Sequence, residues 1–407
     1  MNVLLVTHRY PPDGIGGVER YVEALKGELT KCGDRVTVLT RTPTHWPRWP
    51  VLRRADGLYR IVGSGVRLDQ PFVHEQKLAR LVKRVLAAAS PDVVHVNHLI
   101  GLTPEVISLA QAFGAATVLT LHDYYFACPL AHLRKVNGDP CEGPGGGAEC
   151  AKTCFEDQPR DGRWSVREKR FRTLLAAADV VTAPSVSVAS YFDRHTHGAV
   201  SPVVVPYGTW APVRTAARRV RDSDQLNLAV LGTVAAHKGA HVVIEALRLA
   251  ELGPTRLALW GRVDDSDYER QLRLRAAAVP GLSLEFAGGY APSQIADALS
   301  DADAVVVASQ VREASPIVPR EALAHGVPVL AARIGGLPES IDEGRNGMTF
   351  DPFDPAELAQ ILRRLASTPE LVDALAQGAR ETAIRTAADN ASEMRALFVG
   401  ALEARAA

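Results

Sequence analysis

Long apolar runs are absent from this 407-residue chain. No stretch approaches the roughly 18 uninterrupted apolar residues of a membrane-spanning helix. Net charge is absent too: 46 Lys and Arg balance 46 Asp and Glu. Nothing global therefore points to a nucleic-acid partner. The opening MNVLLVTHRYPPDG lacks the basic start and long apolar centre of a secretory signal, and reads as a buried strand. A cytoplasmic enzyme is the expectation, its five cysteines reduced unless they bind metal. A dinucleotide fingerprint is missing as well. Gly-x-Gly-x-x-Gly would need glycine where Glu19 stands, and no acidic residue ends the next strand, VTVLTR. That weakens an NAD(P)-dependent oxidoreductase.

What is present describes a globular protein, with 47% hydrophobic and 23% charged residues. The length exceeds one ordinary core and suggests two domains. Short apolar runs (Arg35–Arg41, Asp92–Asn97, Ala116–Asp123, Asp179–Ser185) alternate with helical stretches such as Lys77–Ala89. Near Leu226 a strand, glycine loop and helix start again, followed by strands at Arg256–Gly261, Leu282–Gly289, Asp303–Ser309 and Val327–Ala332. Such alternation predicts parallel sheets covered on both faces. The expected fold is α/β, with two doubly wound Rossmann-like domains facing a central cleft. Residues 1–205 form the first, with a Cys-rich insertion at 124–160, and 225–387 the second. The Arg-rich segment 206–224 is the linker, and 388–407 a final helix that could pack back on the first domain.

Three glycine loops are candidates for holding phosphate, because glycine lets backbone N–H groups approach an anion at a helix N-terminus. They are Asp13–Arg20 with Gly16 and Gly17, the loop carrying Thr233 and Lys238, and Arg333–Glu339. Tight turns and a solvated lysine are the alternatives. Two carboxylates, Glu313 and Glu321, lie eight residues apart. Pro316 and Pro319 forbid a helix through both; a helix can start at either proline, with Ser315 a cap for the earlier start. Eight residues leave the two about 80° out of alignment on a helix, so they do not form an acid/base pair on one face. The basic segment Arg41–Arg60, with Trp46 and Trp49, could meet an anionic lipid surface, line an acceptor pocket or be a solvated loop. Lys77–Ala89 is amphipathic and basic, which allows peripheral membrane contact but equally suits a helix covering a sheet.

Four cysteines, Cys128, Cys141, Cys150 and Cys154, crowd into a Gly/Pro-rich stretch, while Cys32 stands alone in a helix-to-strand turn. A structural zinc, free thiols and two disulfides are the three readings of that stretch.

The stretch from Ser309 to Leu362 resembles the C-terminal signature of the retaining glycosyltransferases of family 4, which have the GT-B fold. Its Glu-x7-Glu, EALAHGVPVLA and GGLPE follow in order, and GGVERYVEAL, LTLHDYY, VVPYG and HKGAHVVIEAL match earlier positions. The resemblance implies a retaining hexosyltransferase moving sugar from a UDP- or GDP-sugar to a hydroxyl acceptor, in glycan or natural-product synthesis. A GT-B epimerase or phosphorylase and a non-catalytic sugar-nucleotide sensor are the alternatives. It implies that Glu321 binds the ribose, Glu313 the donor sugar, and the backbone of Ala314, Ser315, Pro316 and Ile317 the sugar hydroxyls. Lys238 would neutralise the diphosphate, Gly16 and Gly17 would let their loop close over it, and His122 would face the transferred sugar. Catalysis needs no bound metal in this scheme: Lys238 and the glycine loops carry the leaving group. The family usually has Gly-Arg where this chain has Gly232-Thr233, which leaves one cation to be supplied by Arg262, Arg312 or Arg333. Front-face attack, with the leaving phosphate helping to deprotonate the acceptor, is the mechanism expected.

Overall fold

The computed structural model describes residues 1–14, 16–42, 44, 49–55, 57–63, 75–159, 161–209 and 225–407. The chain divides into two compact units, Met1–Gly208 with Arg385–Ala407, and Thr209–Ile384. Of the expected linker, residues 210–224 lie outside the described residues.

The first unit runs β1 (Asn2–Thr7), α1 (Gly17–Lys31), β2 (Arg35–Thr42), β3 (Val51–Ala55), β4 (Leu58–Val62), α2 (Glu75–Ala89), β5 (Val93–Val96), α3 (Val106–Ala112), β6 (Ala116–Thr120), α4 (Arg163–Ala177), β7 (Val180–Ala183), α5 (Val186–His195) and β8 (Val203–Val204). Its sheet has the order β3-β4-β2-β1-β5-β6-β7-β8. All pairings are parallel except that of β3 with β4. Strands such as VLLV and VVHV are continuous apolar runs because a parallel sheet buries both faces, and Val3–Val6 and Val93–Val96 are buried throughout.

Two basic segments find their places in this unit. Part of Arg41–Arg60 is the β3–β4 hairpin at the sheet edge, where β4 pairs with β2; residues 43, 45–48 and 56 of that segment lie outside the described residues. The apolar side of α2 (Leu78, Leu81, Val82, Val85, Leu86) is buried within the unit and is not a free membrane-binding face. Among the described residues no helix is long and apolar enough to cross a membrane.

The C-terminal helix, Ala387–Ala406, belongs to the first unit and packs on α1 and β6. Thr386 and Asp389 form a capping box at its start. Its Arg395 reaches Asp34 Oδ2 at 2.9 Å, while Asp34 Oδ1 takes the Met1 amine at 2.8 Å. One buried carboxylate thus ties the first residue of the chain to its last helix.

The second unit runs β9 (Leu226–Leu231), α6 (Ala240–Ala250), β10 (Thr255–Trp260), α7 (Ser266–Ala277), β11 (Leu282–Gly288), α8 (Ile295–Leu299), β12 (Ala304–Val307), α9 (Val318–Ala324), β13 (Val329–Ala332), β14 (Gly347–Phe350), α10 (Pro355–Ser367) and α11 (Pro369–Glu381). Its sheet is wholly parallel, in the order β11-β10-β9-β12-β13-β14. Alternate residues of its strands feed two cores, Leu228, Leu257 and Val306 on one face and Ala229, Val305 and Val329 on the other. In both sheets the strand order reverses beside the first strand, β1/β5 in one unit and β9/β12 in the other. The carboxyl ends of strands at such a switch point form the binding crevice of doubly wound sheets.

Candidate active site

At the β9/β12 switch point the loop after β9 approaches the end of β12. Gly239 makes the approach: it sits at φ +77°, and a Cβ there would lie 1.9 Å from the Ala308 carbonyl oxygen. Just before it, a one-turn 3-10 helix, Ala236–Lys238, presents Lys238. Its ammonium forms a short ion pair with Glu313 Oε1, which also accepts from Ser309 Oγ at 2.7 Å. Glu313 is held from behind too: Gly336 N–H donates to its carbonyl at 2.8 Å, and Gly335, at φ +60°, has no room for a Cβ against the same backbone. The third glycine pair therefore braces Glu313. Burial opposes ionisation of this carboxyl, but the Lys238 charge and hydrogen bond, joined by Ser309, outweigh it and hold its pKa below the usual glutamate value.

The helix after this loop begins at Val318, with Pro319 second, not with a proline first. Ser315 does not cap it; its hydroxyl accepts from Arg320 instead. Glu321 lies in the first turn and is 4% exposed. Among the described residues no acceptor pairs with the backbone N–H of Ala314, Ser315 or Ile317. The segment thus presents three donors beside an ionised Glu and a Lys. Thr233 follows Gly232, in a loop stitched to the one after β10 by Gly232 N–H to Trp260 O (2.8 Å) and Val234 N–H to Arg262 O (2.9 Å). Of the three arginines considered for the missing cation, Arg262 pairs with Asp264 and Arg333 grips both oxygens of Glu357. Arg312 is partly buried and immediately precedes Glu313 in the chain.

At the β1/β5 switch point the first unit gathers His8, Asn97, His98, His122 and Asp123. Asn97 Nδ2 donates to His95 O at 3.2 Å, which leaves its Oδ1 to accept from His122 Nε2 at 2.9 Å. The Tyr207 hydroxyl then donates to His122 Nδ1. Burial, with a smaller contribution from His95, keeps the His122 pKa well below the usual value. His122 is thus neutral, with both ring nitrogens engaged. It is placed to shape the site and not to accept a proton. His98 Nδ1 accepts from Ile100 N–H, so its Nε2 faces Asp123 at 3.3 Å. Burial opposes the charge on Asp123, but His98, the Tyr125 N–H and His122 hold its carboxyl below the usual range. His8 lies against His98, with ring centroids 4.2 Å apart and the planes tilted by 49°, and is driven to a pKa of about 2, by burial first and His98 second.

Gly16 and Gly17 sit where α1 begins, and a carboxylate already stands beside them. A Cβ at Gly16 would lie 2.5 Å from Glu19 Oε2, and one at Gly14 2.9 Å from Oε1. Glu19 therefore already offsets the positive end of the helix. The four clustered cysteines carry free thiols, as does the exposed Cys32. Among the described residues, no group of three or more His, Cys, Asp or Glu side chains is preassembled to hold a metal ion.

Sequence reasoning missed Ser309, Asn97, His98 and Tyr207. The signal was there: VVHVNH is an apolar strand that turns polar at its carboxyl end, where a doubly wound sheet keeps its chemistry.

Residues 15–209 match the family described as Glycosyltransferase Family 4, and residues 214–382 match Glycosyl transferases group 1. The D-inositol 3-phosphate glycosyltransferase of Nocardioides sp. is 35% identical, over 90% of this chain and 81% of that protein. Sucrose-phosphate synthase from Thermosynechococcus elongatus has a similar structure (TM-score 0.72, 19% identity, 99% of each chain). So does Anabaena HepE, solved with UDP and glucose (TM-score 0.67, 18% identity, 98% of this chain and 99% of that one). Two largely parallel Rossmann-like sheets carry matches to the two family models, one in each half of the chain, so this chain belongs to the group 1, family 4 glycosyltransferases of GT-B fold and is a glycosyltransferase.

Proposed function

We propose that the enzyme transfers a hexose-type sugar from a UDP- or GDP-sugar to a hydroxyl acceptor, with retention of anomeric configuration. The observation that carries this is the Lys238–Glu313–Ser309 cluster beside the unpaired N–H groups of Ala314, Ser315 and Ile317. A diphosphate needs a cation and backbone donors where its charge develops, and a sugar needs a carboxylate with neighbouring N–H groups to grip its hydroxyls. Both sets stand at one switch point.

In this reading the donor's diphosphate draws Lys238 away from Glu313, and the freed carboxylate, still held by Ser309, turns to the sugar. Glu321, buried one helical turn on, takes the ribose hydroxyls. As the glycosidic bond to phosphate breaks, Lys238 stabilises the departing diphosphate while the three N–H groups hold the sugar hydroxyls. The acceptor oxygen attacks from the face the phosphate leaves, and a phosphate oxygen takes its proton. The first unit's switch point binds the acceptor, with His122 as a fixed, neutral wall. HepE, which has been solved with UDP and glucose bound, is in keeping with a uridine donor.

A thermal-shift screen of UDP- and GDP-sugars tests the donor, since a ligand that binds only the folded state at 100 times its Kd adds about 2.7 kcal/mol of stability. NMR of the first-formed product reads the anomer. Absence of any stabilising nucleotide sugar, or an inverted product, overturns the reading.

A further inference from the structure

We propose that Cys128, Cys141, Cys150 and Cys154 are the four ligands of a structural zinc ion that fixes the segment behind His122 and Asp123. All four line one cavity of about 10 Å³, together with Leu130, Leu133 and Phe155. That is room for one water-sized sphere; the four side chains are not preassembled as a ligand set, so an ion would have to draw them in around itself.

The local backbone explains how the four meet. Cys128 closes a turn by donating its N–H to Tyr124 O at 2.6 Å. The chain then puts two non-glycine residues, Ala131 (φ 66°) and Leu133 (φ 51°), in the left-handed region, a conformation that costs about 1–2 kcal/mol per residue, and so returns the Ala131 carbonyl to the Tyr124 N–H at 3.1 Å. Cys141 is brought back to the same place by its N–H to Leu133 O at 2.9 Å and by the bridge between Arg134 and Pro140. Cys150 and Cys154 open and close a five-residue π-helical turn, which sets them on one side. Such turns are rare and concentrate at functional sites.

Charge supplies an independent argument. Arg167, on α4, is 3% exposed and donates to the Ala127 and Tyr125 carbonyls, while its guanidinium lies over the Tyr125 and Phe171 rings at 4.9 and 4.5 Å. Among the described residues no carboxylate forms an ion pair with it. The ionisable groups that it interacts with electrostatically are Tyr125, Cys128, Cys150 and, next to it on α4, Glu168. A buried cation gains from each further anion placed beside it. Binding a divalent ion to four thiols releases four protons and leaves a site of charge −2, which places an anion beside Arg167. Tetrahedral sulfur ligation of this kind selects zinc. The loop gains what its Gly- and Pro-rich composition denies it, a core of its own. This inference is independent of the donor chemistry proposed above.

The test uses the full chain, purified under reducing conditions. Elemental analysis should find one zinc per chain, and thiol titration of the native protein should find only the exposed Cys32 reactive. Stripping the zinc should expose all five thiols. Cys154→Ser should lose the metal and Cys32→Ser should keep it. Should Cys154→Ser not fold, metal-stripped wild type titrated with Co²⁺ should show the thiolate-to-cobalt absorption of a tetrahedral sulfur site. A metal-free protein with five reactive thiols, a mass showing two disulfides, or no such cobalt absorption would each overturn the proposal.

Discussion

Lys238→Ala tests whether the ion pair seen at the second switch point is the device that releases the leaving group. Lys238 is paired with Glu313, with side-chain exposures of 36% and 18%. One extra unit of negative charge developing on a phosphate about 4 Å from the ammonium would gain roughly 4 kcal/mol at an effective dielectric near 20. Lys238 is more than a third exposed and must give up part of its contact with Glu313, so roughly 2–3 kcal/mol survives as transition-state stabilisation. That is a loss of about 30- to 150-fold in kcat for the alanine variant. Lys238→Arg should recover part of it, because the charge remains. The assay is steady-state release of nucleoside diphosphate from the donor identified by the thermal screen, with donor Kd measured separately by calorimetry. The reasoning fails if Lys238→Ala lowers kcat less than threefold, or if the whole loss appears in Kd.

Glu321→Ala should act differently from Glu313→Ala. Truncating the helical Glu321 should raise donor KM about tenfold, the cost of one lost hydrogen-bonded charge, with kcat within a few-fold. Truncating Glu313 should mainly lower kcat; equal small effects from the two, in the same assay, would return both to structural roles. Acid should destabilise the first unit well before its carboxylates titrate. The folded-state pKa of His95 falls to about 3 through burial, and those of His8 and His122 are lowered as well. The unfolded chain therefore takes up protons near pH 6.5 that the folded chain refuses, and stability declines from there towards pH 3. Each histidine contributes up to about 1.4 kcal/mol per pH unit. Asp123 and Glu313, with lowered pKa values, add stability that is present above the ordinary carboxylate range and lost below it. Urea midpoints that do not change between pH 7 and pH 5 would refute the neutral-histidine core.

The repeated strand–glycine–helix openings at Val3 and Leu226 made both sheets legible, because apolar runs bounded by glycine loops mark buried parallel strands. Strand β3 was not legible: its VLRRA is exposed at four of five positions, with the remaining one partly buried, and carries no apolar alternation. It is a strand because β4 offers it an edge, which is a tertiary reason and not a local one. The proline signal near Glu313 located α9, but not its first residue, since Pro319 serves as well second as first. Pattern alone picked out Lys238 and Glu313. Their pairing, across 75 residues, exists only after β9 and β12 are neighbours. The histidine cluster was legible only in part: His122 stood out in LTLHDYY, whereas His8 and His98 follow apolar strands that read as core.

The two switch points differ in a way that bears on selectivity. The first is built of neutral or mutually compensated groups: His122 hydrogen-bonded at both nitrogens, and His98 set against Asp123. The second holds a separable ion pair, Lys238 with Glu313, braced by Ser309 and the Gly335–Gly336 turn. A neutral ligand offers Lys238 nothing to replace Glu313, so it meets a closed pair. An anion does offer a replacement, and only then is the Glu313 carboxylate free to grip a hydroxyl. On the proposed reading, the pair would favour ligands that carry phosphate and sugar together over free sugars, before any hydroxyl is read. Ser309 is what makes this workable, because a hydrogen bond already in place lowers the cost of leaving Glu313 charged while Lys238 is away. Removing that hydroxyl should therefore weaken the enzyme's preference for ligands that join phosphate and sugar, while the fold around it stays as it is.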